Sequence, residues 1–166
     1  IAYLVSNGIK IAIIAFTDNM PEWAAAKTKL GVNYIEIKKN NIEKVKKSVI
    51  EAKNKSDTVI VSAHWGPNMR QRPTEQFKEF AHAVIDAGAD IFHGHSSHIF
   101  QGIEIYNEKL IMYDTGDFVD DYAVDPLLRN DQTFLFLVTL SKNKIEKIEL
   151  IPGLISYMQV NKATNN

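Results

Sequence analysis

Apolar residues fall into two patterns along this chain. Three stretches are short and nearly continuous: residues 9–16 (IKIAIIAF), 58–63 (TVIVSA) and 89–92 (ADIF). Runs of that length, bounded by turn residues, predict strands buried on both faces. Between them the apolar positions recur at helical spacing. Ile42, Val45, Val49 and Ala52 line one face of a helix that Asn40 and Glu43 open and that runs to about Lys55. Phe77, Phe80, Ala81 and Val84 line a second, starting at Pro73 or Thr74 and stopping at Gly88. Asn19 and Glu22 have capping-box spacing and Pro21 follows in the first turn, so a short helix is predicted over residues 21–29. Residues 34–37 read as a short strand.

Beyond residue 100 the pattern changes to hairpins. Residues 102–106 and 110–113 flank Asn107, Glu108 and Lys109; residues 134–140 and 145–151 flank a turn at 141–144. An acidic loop spans 114–131, and residues 161–166 form a polar tail expected to fray. Strand–helix units followed by hairpins predict an α/β fold with mixed β-sheet layers and flanking helices. No repeat or linker divides residues 1–160, which read as one domain.

Composition narrows the function. The 166 residues are 45% hydrophobic and 23% charged, as in a globular domain with a core. A net charge of −1 predicts no nucleic-acid partner. The absence of cysteine excludes disulfides, thiolate metal sites and cysteine nucleophiles. No apolar run reaches the ~20 residues of a membrane helix, so no direct membrane segment is expected in this chain. The start, Ile1-Ala2-Tyr3-Leu4-Val5, lacks an initiator methionine and a basic signal-peptide start, which predicts a fragment or processed product.

Two predicted strands run into histidine. One ends at His64; the other ends at His93-Gly94-His95-Ser96-Ser97-His98. Ligand sites in open α/β sheets lie beyond the carboxyl ends of strands. Imidazole is the commonest protein metal ligand and suits Mn, Fe and Zn. His64, His95 and His98 are therefore the candidate metal ligands. Gly94 is expected to let the backbone turn so that the following rings aim at one place. Ser96 and Ser97 are small enough to leave that place open and able to orient a ring. His93 is expected still to belong to the strand and to pack or bond to the backbone, His82 to be solvated and Trp65 to pack. Arg70 and Arg72 follow His64 in a loop and can clamp phosphate or carboxylate. Asp114, Asp117, Asp120, Asp121 and Asp125 do not match an EF-hand and read as a solvated loop. Asp114 and Asp117 are kept as candidates to support the ligands, because they follow a strand and flank Gly116. No residue is assigned as catalytic.

These pieces stand in an order that resembles a known family. His64-Trp65-Gly66 follows a strand; Asp86-Ala87-Gly88-Ala89-Asp90 ends a helix; Gly94-His95-Ser96-Ser97-His98, Gln101-Gly102-Ile103-Glu104 and Tyr113-Asp114-Thr115-Gly116-Asp117-Phe118 come next. The set resembles the CapA family of poly-γ-glutamate capsule biosynthesis proteins, most strongly over residues 59–122. The resemblance implies the C-terminal portion of a four-layer α/β/β/α metallophosphoesterase-like sandwich. It implies a two-metal centre of Mn, Fe or Zn in the full-length protein, with His64, His95 and His98 among its ligands. The family's N-terminal Gly-Asp, N-x-E and N-N-H motifs are not found here. The missing N-terminal half of the domain is therefore the expected partner, and metal binding is expected to be weak or absent in this fragment. Asp117 stands where many members have asparagine and Asn68 where many have glutamate. Asn68, Arg70 and Arg72 are the substrate-binding candidates. The function implied is a metal-dependent phosphoesterase-like hydrolase associated with poly-γ-glutamate or capsule polymer biosynthesis, acting on an anionic polymer or phosphoester and inactive as this fragment. The alternative is a non-catalytic accessory or binding module of a polymer-synthesis complex. Many members are membrane-anchored through a segment ahead of the domain.

Overall fold

A computed structural model describes residues 1–120, 123–142 and 144–163. Its strands are β1 (Ala2–Ser6), β2 (Ile9–Thr17), β3 (Thr58–His64), β4 (Ile91–His95), β5 (Ile103–Tyr106), β6 (Lys109–Met112), β7 (Gln132–Ser141), β8 (Lys144–Ser156) and β9 (Gln159–Lys162). Two helices, α1 (Ile42–Lys53) and α2 (Glu75–Asp86), lie between β2 and β4 in sequence. The larger sheet has the order β1-β2-β3-β4-β6-β5; β7, β8 and β9 form the smaller one. In the larger sheet β2, β3, β4 and β6 are mutually parallel, with β1 and β5 antiparallel at the edges. The mixed sheet expected from the sequence is present.

Alternation along β3 and β4 sorts side chains to two faces. Val59, Val61, Ala63 and Phe92 point to the helices and pack with Val45, Val49, Phe77, Phe80 and Val84. Ile60, Ile91, Leu110 and Met112 point to the other face, where Phe136, Val138, Leu140, Ile145 and Ile148 of the smaller sheet cover them. The helices, the larger sheet and the smaller sheet therefore stack as three layers. Each large apolar side chain buried this way contributes about 1.5–3 kcal/mol.

At the amino ends of β3 and β4 sits Asp90, only 3% exposed. Its Oδ2 accepts from Lys53 Nζ at 2.8 Å and from the Val59 N–H at 2.9 Å. Its Oδ1 accepts from Lys109 Nζ at 2.6 Å. A buried carboxylate survives only when paired in this way.

Several expectations need correction. The predicted helix over 21–29 is a single 3-10 turn, Pro21–Trp23, entered at Met20 with φ 56° and without a side-chain cap. The chain then folds back on itself through bridges Ala24↔Val32 and Ala26↔Lys29. A capping-box pattern without an apolar stripe to bury does not hold a helix. The strand expected at 34–37 is one bridge, Thr17↔Tyr34. The third strand starts and ends later than expected, so Gly94 and His95 join His93, already expected there, in β4. Asn161 and Lys162, expected in the frayed tail, pair in β9; residues 164–166 lie outside those described. The hairpin of β1 and β2 is an addition to the expected elements. Its turn is Asn7-Gly8, both with positive φ, which is the two-residue turn that asparagine–glycine favours.

Candidate metal centre

Parallel register places the site. Ser62 lies opposite His93, and His64 opposite His95. All four side chains fall on the face away from the helices, at the carboxyl ends of their strands. His64 Nδ1 and His95 Nδ1 are 3.3 Å apart. Two nitrogens bound at about 2.0–2.1 Å to one tetrahedral ion stand about that far apart, so the pair fits two ligands of a divalent metal. Behind it, Ser62 Oγ lies 3.3 Å from both His95 Nε2 and His93 Nδ1, and His93 Nε2 lies 3.1 Å from Thr115 Oγ1. His93 packs beneath the pair, as expected. Burial, then the neighbouring His93 and His64, push His95 down to about 4. The ring is therefore neutral at pH 7, with a lone pair free of proton competition. Burial lowers His93 as well.

Gly94 serves space, not turning. Its φ is not positive, contrary to the expected tight turn. A Cβ there would stand 2.1 Å from the Tyr113 carbonyl oxygen and 2.4 Å from Trp65 Nε1. Trp65 is 1% exposed and donates its indole N–H to that same carbonyl at 2.9 Å. It is a packing residue, and its seat requires glycine in β4.

His98 takes other partners. Its Nδ1 is 2.8 Å from Asp117 Oδ1 and 3.8 Å from Asp120 Oδ2. Among the described residues, His98, Asp117 and Asp120 are the group of three candidate ligand atoms lying within 4.8 Å of one another; the three histidines form no such group. Asp114 is 1% exposed and ties this loop together. Its Oδ2 accepts the Ser97 N–H and its Oδ1 the Gly116 N–H, each at 2.9 Å. These are backbone groups, and Asp114 touches none of the three histidines through them. Burial raises the Asp117 carboxyl above its ordinary range, against the lowering influence of His98.

The loop after His64 is only partly engaged. The Arg70 guanidinium lies 3.8 Å over the Phe77 ring. Asn68 and Arg72 are not buried. His82, expected to be solvated, stacks on Tyr106 at 3.9 Å and meets Glu104 Oε1 at 3.0 Å. Two site residues lie outside the sequence-based candidates. The Asp18 carboxylate accepts the Gly66 N–H at 2.9 and 3.1 Å, and its burial raises its pKa. Asn19 Nδ2 donates to Ser96 Oγ at 3.0 Å. Both directly follow the end of β2, the same signal that selects His64; the capping-box spacing of Asn19 and Glu22 masks it.

Fold and site together define an α/β domain with a histidine site at the carboxyl ends of its parallel strands. The family model for the bacterial capsule synthesis protein PGA_cap matches residues 1–122, and the chain belongs to that family. It is 34% identical over 161 residues to a Mycobacterium tuberculosis protein named probable polyglutamine synthesis accessory protein, covering 92% of this chain and 42% of the relative. It is 34% identical over 152 residues to the PGA biosynthesis protein CapA of Bacillus subtilis, covering 92% of this chain and 38% of that protein. The capsule biosynthesis protein CapA of Bacillus anthracis is 34% identical over 122 residues, 73% of this chain and 29% of its own length. The chain thus spans less than half the length of these relatives. The fold is also that of a crystal structure of a hypothetical protein from Thermus thermophilus, with a TM-score of 0.59 at 11% identity over 93% of this chain and 62% of the other. Among the described residues no helix is long and apolar enough to cross a membrane.

Proposed function

We propose that this chain is the C-terminal portion of a metal-dependent phosphoesterase-like hydrolase domain that serves capsule or poly-γ-glutamate synthesis. His64 and His95 supply two ligands of its metal centre. The observation that carries this reading is their 3.3 Å approach on one sheet face, with His95 held neutral. A divalent Mn, Fe or Zn ion there supplies Lewis acidity toward a phosphoryl oxygen. Arg70, backed by Phe77, together with Asn68 and Arg72, lies on the loop after His64, where these side chains can receive an anionic polymer or phosphoester. The polymer association follows the names of the relatives, none of which this chain spans completely.

The remaining ligands, in this reading, come from the part of the domain that the relatives carry beyond the matched span. That part also supplies the fourth layer of an α/β/β/α sandwich. Leu135 and Leu137, 41% and 40% exposed and on the face of β7 opposite Phe136 and Val138, support such a layer by leaving apolar surface to cover.

The test is hydrolysis of a panel of phosphomonoesters and phosphodiesters by the full-length protein loaded with Mn²⁺ or Zn²⁺. Activity at least ~100-fold above the His64→Ala/His95→Ala variant is expected, and little from the present chain alone. Hydrolysis that survives loss of both histidines overturns the metal role. Full-length protein that binds metal and hydrolyses nothing supports a non-catalytic accessory module instead, a reading in keeping with the mycobacterial relative's name.

A further inference from the structure

We propose that Asp18 is a positioning residue of the metal pair: its carboxylate, bound to the Gly66 N–H, fixes the turn that aims His64 at His95. Asp18 acts through the backbone of residues 64–66 and not on a ring. This inference rests on the reading of His64 and His95 as two ligands of one metal.

The two histidines are held in different ways. His95 lies within β4, and its Nε2 has Ser62 Oγ at 3.3 Å. His64 is the last residue of β3 and is exposed. Among the described residues the one polar partner of its ring is His95 Nδ1 itself, at 3.3 Å. No other side chain orients the His64 ring by a hydrogen bond, so its aim depends on the backbone that carries it. A ligand on a loose support misses its geometry by an ångström or so.

That backbone is tied from both neighbouring strands. On the β4 side, the Trp65 N–H donates to the His95 carbonyl at 2.9 Å, and Ser96 Oγ donates to the Gly66 carbonyl at 3.2 Å. On the β2 side, the Asp18 N–H donates to the His64 carbonyl at 3.1 Å, and both Asp18 carboxylate oxygens accept the Gly66 N–H, at 2.9 and 3.1 Å. Gly66 has φ +80°, so the chain leaves the strand direction there and its N–H is lost to the sheet ladder. An ionised acceptor makes the stronger kind of hydrogen bond. Among the described residues Asp18 has no ion-pair partner, so its carboxylate serves this N–H and not a salt bridge. It is the one tie from β2 that a substitution removes without altering the main chain.

The experiment compares the present chain with Asp18→Asn, which keeps an acceptor for the Gly66 N–H, and with Asp18→Ala, which does not. In EDTA-treated protein with labelled histidine, nuclear Overhauser effects read the contact between the His64 and His95 rings, whose centroids are 5.2 Å apart. Calorimetry then reads Zn²⁺ affinity. The parent and Asp18→Asn are expected to share the ring contact and a similar affinity. Asp18→Ala is expected to lose the contact and to bind at least about tenfold more weakly, as when a group that orients a ligand is removed. Urea midpoints show which variants are folded; if Asp18→Ala is not, Asp18→Ser, whose hydroxyl is shorter than the carboxylate, takes its place with the same expected losses. The proposal is overturned if the folded variant keeps both contact and affinity. It is equally overturned if Asp18→Asn loses them as fully as Asp18→Ala, since charge and not the bond to Gly66 would then carry the effect. A parent that shows the ring contact but takes up no Zn²⁺ removes the metal reading alone, and the ring contact in Asp18→Ala still upholds or overturns the positioning role.

Discussion

The two ends of β3 and β4 treat buried polar groups in opposite ways. At the amino ends, Asp90 has both oxygens occupied by Lys53, Lys109 and the Val59 N–H. At the carboxyl ends, Asp117 Oδ2, Arg70 Nε and Gln101 Oε1 are enclosed with no close hydrogen-bond partner among the described residues. Gln101 uses its other amide atom, donating from Nε2 to the Arg70 carbonyl at 2.6 Å. Leaving a buried polar atom unpaired costs about 1–3 kcal/mol. One end of the sheet therefore satisfies its polar groups internally, for stability. The other leaves these three atoms without such compensation.

The largest test of that contrast is to break the closed end. Asp90→Ala removes the acceptor of two ammonium groups and one buried N–H. A loss of about 3–5 kcal/mol is expected, read as a fall in urea midpoint. The His64→Ala/His95→Ala variant is expected to change stability by less than about 1 kcal/mol, since the two rings make no comparable bonds in the metal-free protein. Equal losses at both ends would break the comparison.

Gly94→Ala is the next largest. The added Cβ meets the Tyr113 carbonyl and the Trp65 indole, both backed by packed elements. Overpacking of this kind costs about 1–3 kcal/mol. Because Gly94 lies between His93 and His95, metal affinity of the His64–His95 pair should fall with it. A Gly94→Ala protein of unchanged stability and unchanged zinc affinity would show that β4 moves freely, and that the close approach does not set the rings.

This uneven treatment also explains what is legible in the sequence. Continuous apolar runs mark β2, β3 and β4, since strands buried on both faces leave that signature. Helical spacing marks α1 and α2. His64 and His95 stand out because strand ends are where such folds place chemistry. Their direct pairing needs the register of β3 against β4, which no single strand encodes. Likewise Asp120 joins His98 through loop closure by Asp114, which bonds Ser97 across 17 residues of chain. Long-range loop contacts carry no local periodicity. The failed helix at 21–29 shows the converse: local capping signals without a buried face to reinforce them.

The smallest expected effect is a pH slope that only the open end produces. His95 is held at about 4 in the folded protein, against an ordinary value near 6.5, chiefly by burial. Between those values the unfolded chain binds a proton that the folded protein refuses. Stability therefore rises with pH across that window and is lost as pH falls through it. His95 keeps some contact with solvent, so the contribution is about 1–2 kcal/mol rather than the whole shift. His93, lowered by burial, adds in the same direction. Asp18 and Asp117 act oppositely: burial raises both, so the folded protein takes up their protons more readily and gains stability as pH falls through their range. The slope from His95 therefore falls between about pH 6.5 and 4, and the raised carboxyls oppose it wherever their own range overlaps that window. Urea midpoints of EDTA-treated protein at about pH 7, 6 and 5 measure it, with His95→Gln as the comparison. The slope should shrink in that variant, while Asp90→Asn should leave it intact because Asp90 lies at the other end. An undiminished slope in His95→Gln would mean that the proton is refused elsewhere, and that the open end is not where this sheet concentrates its titrating groups.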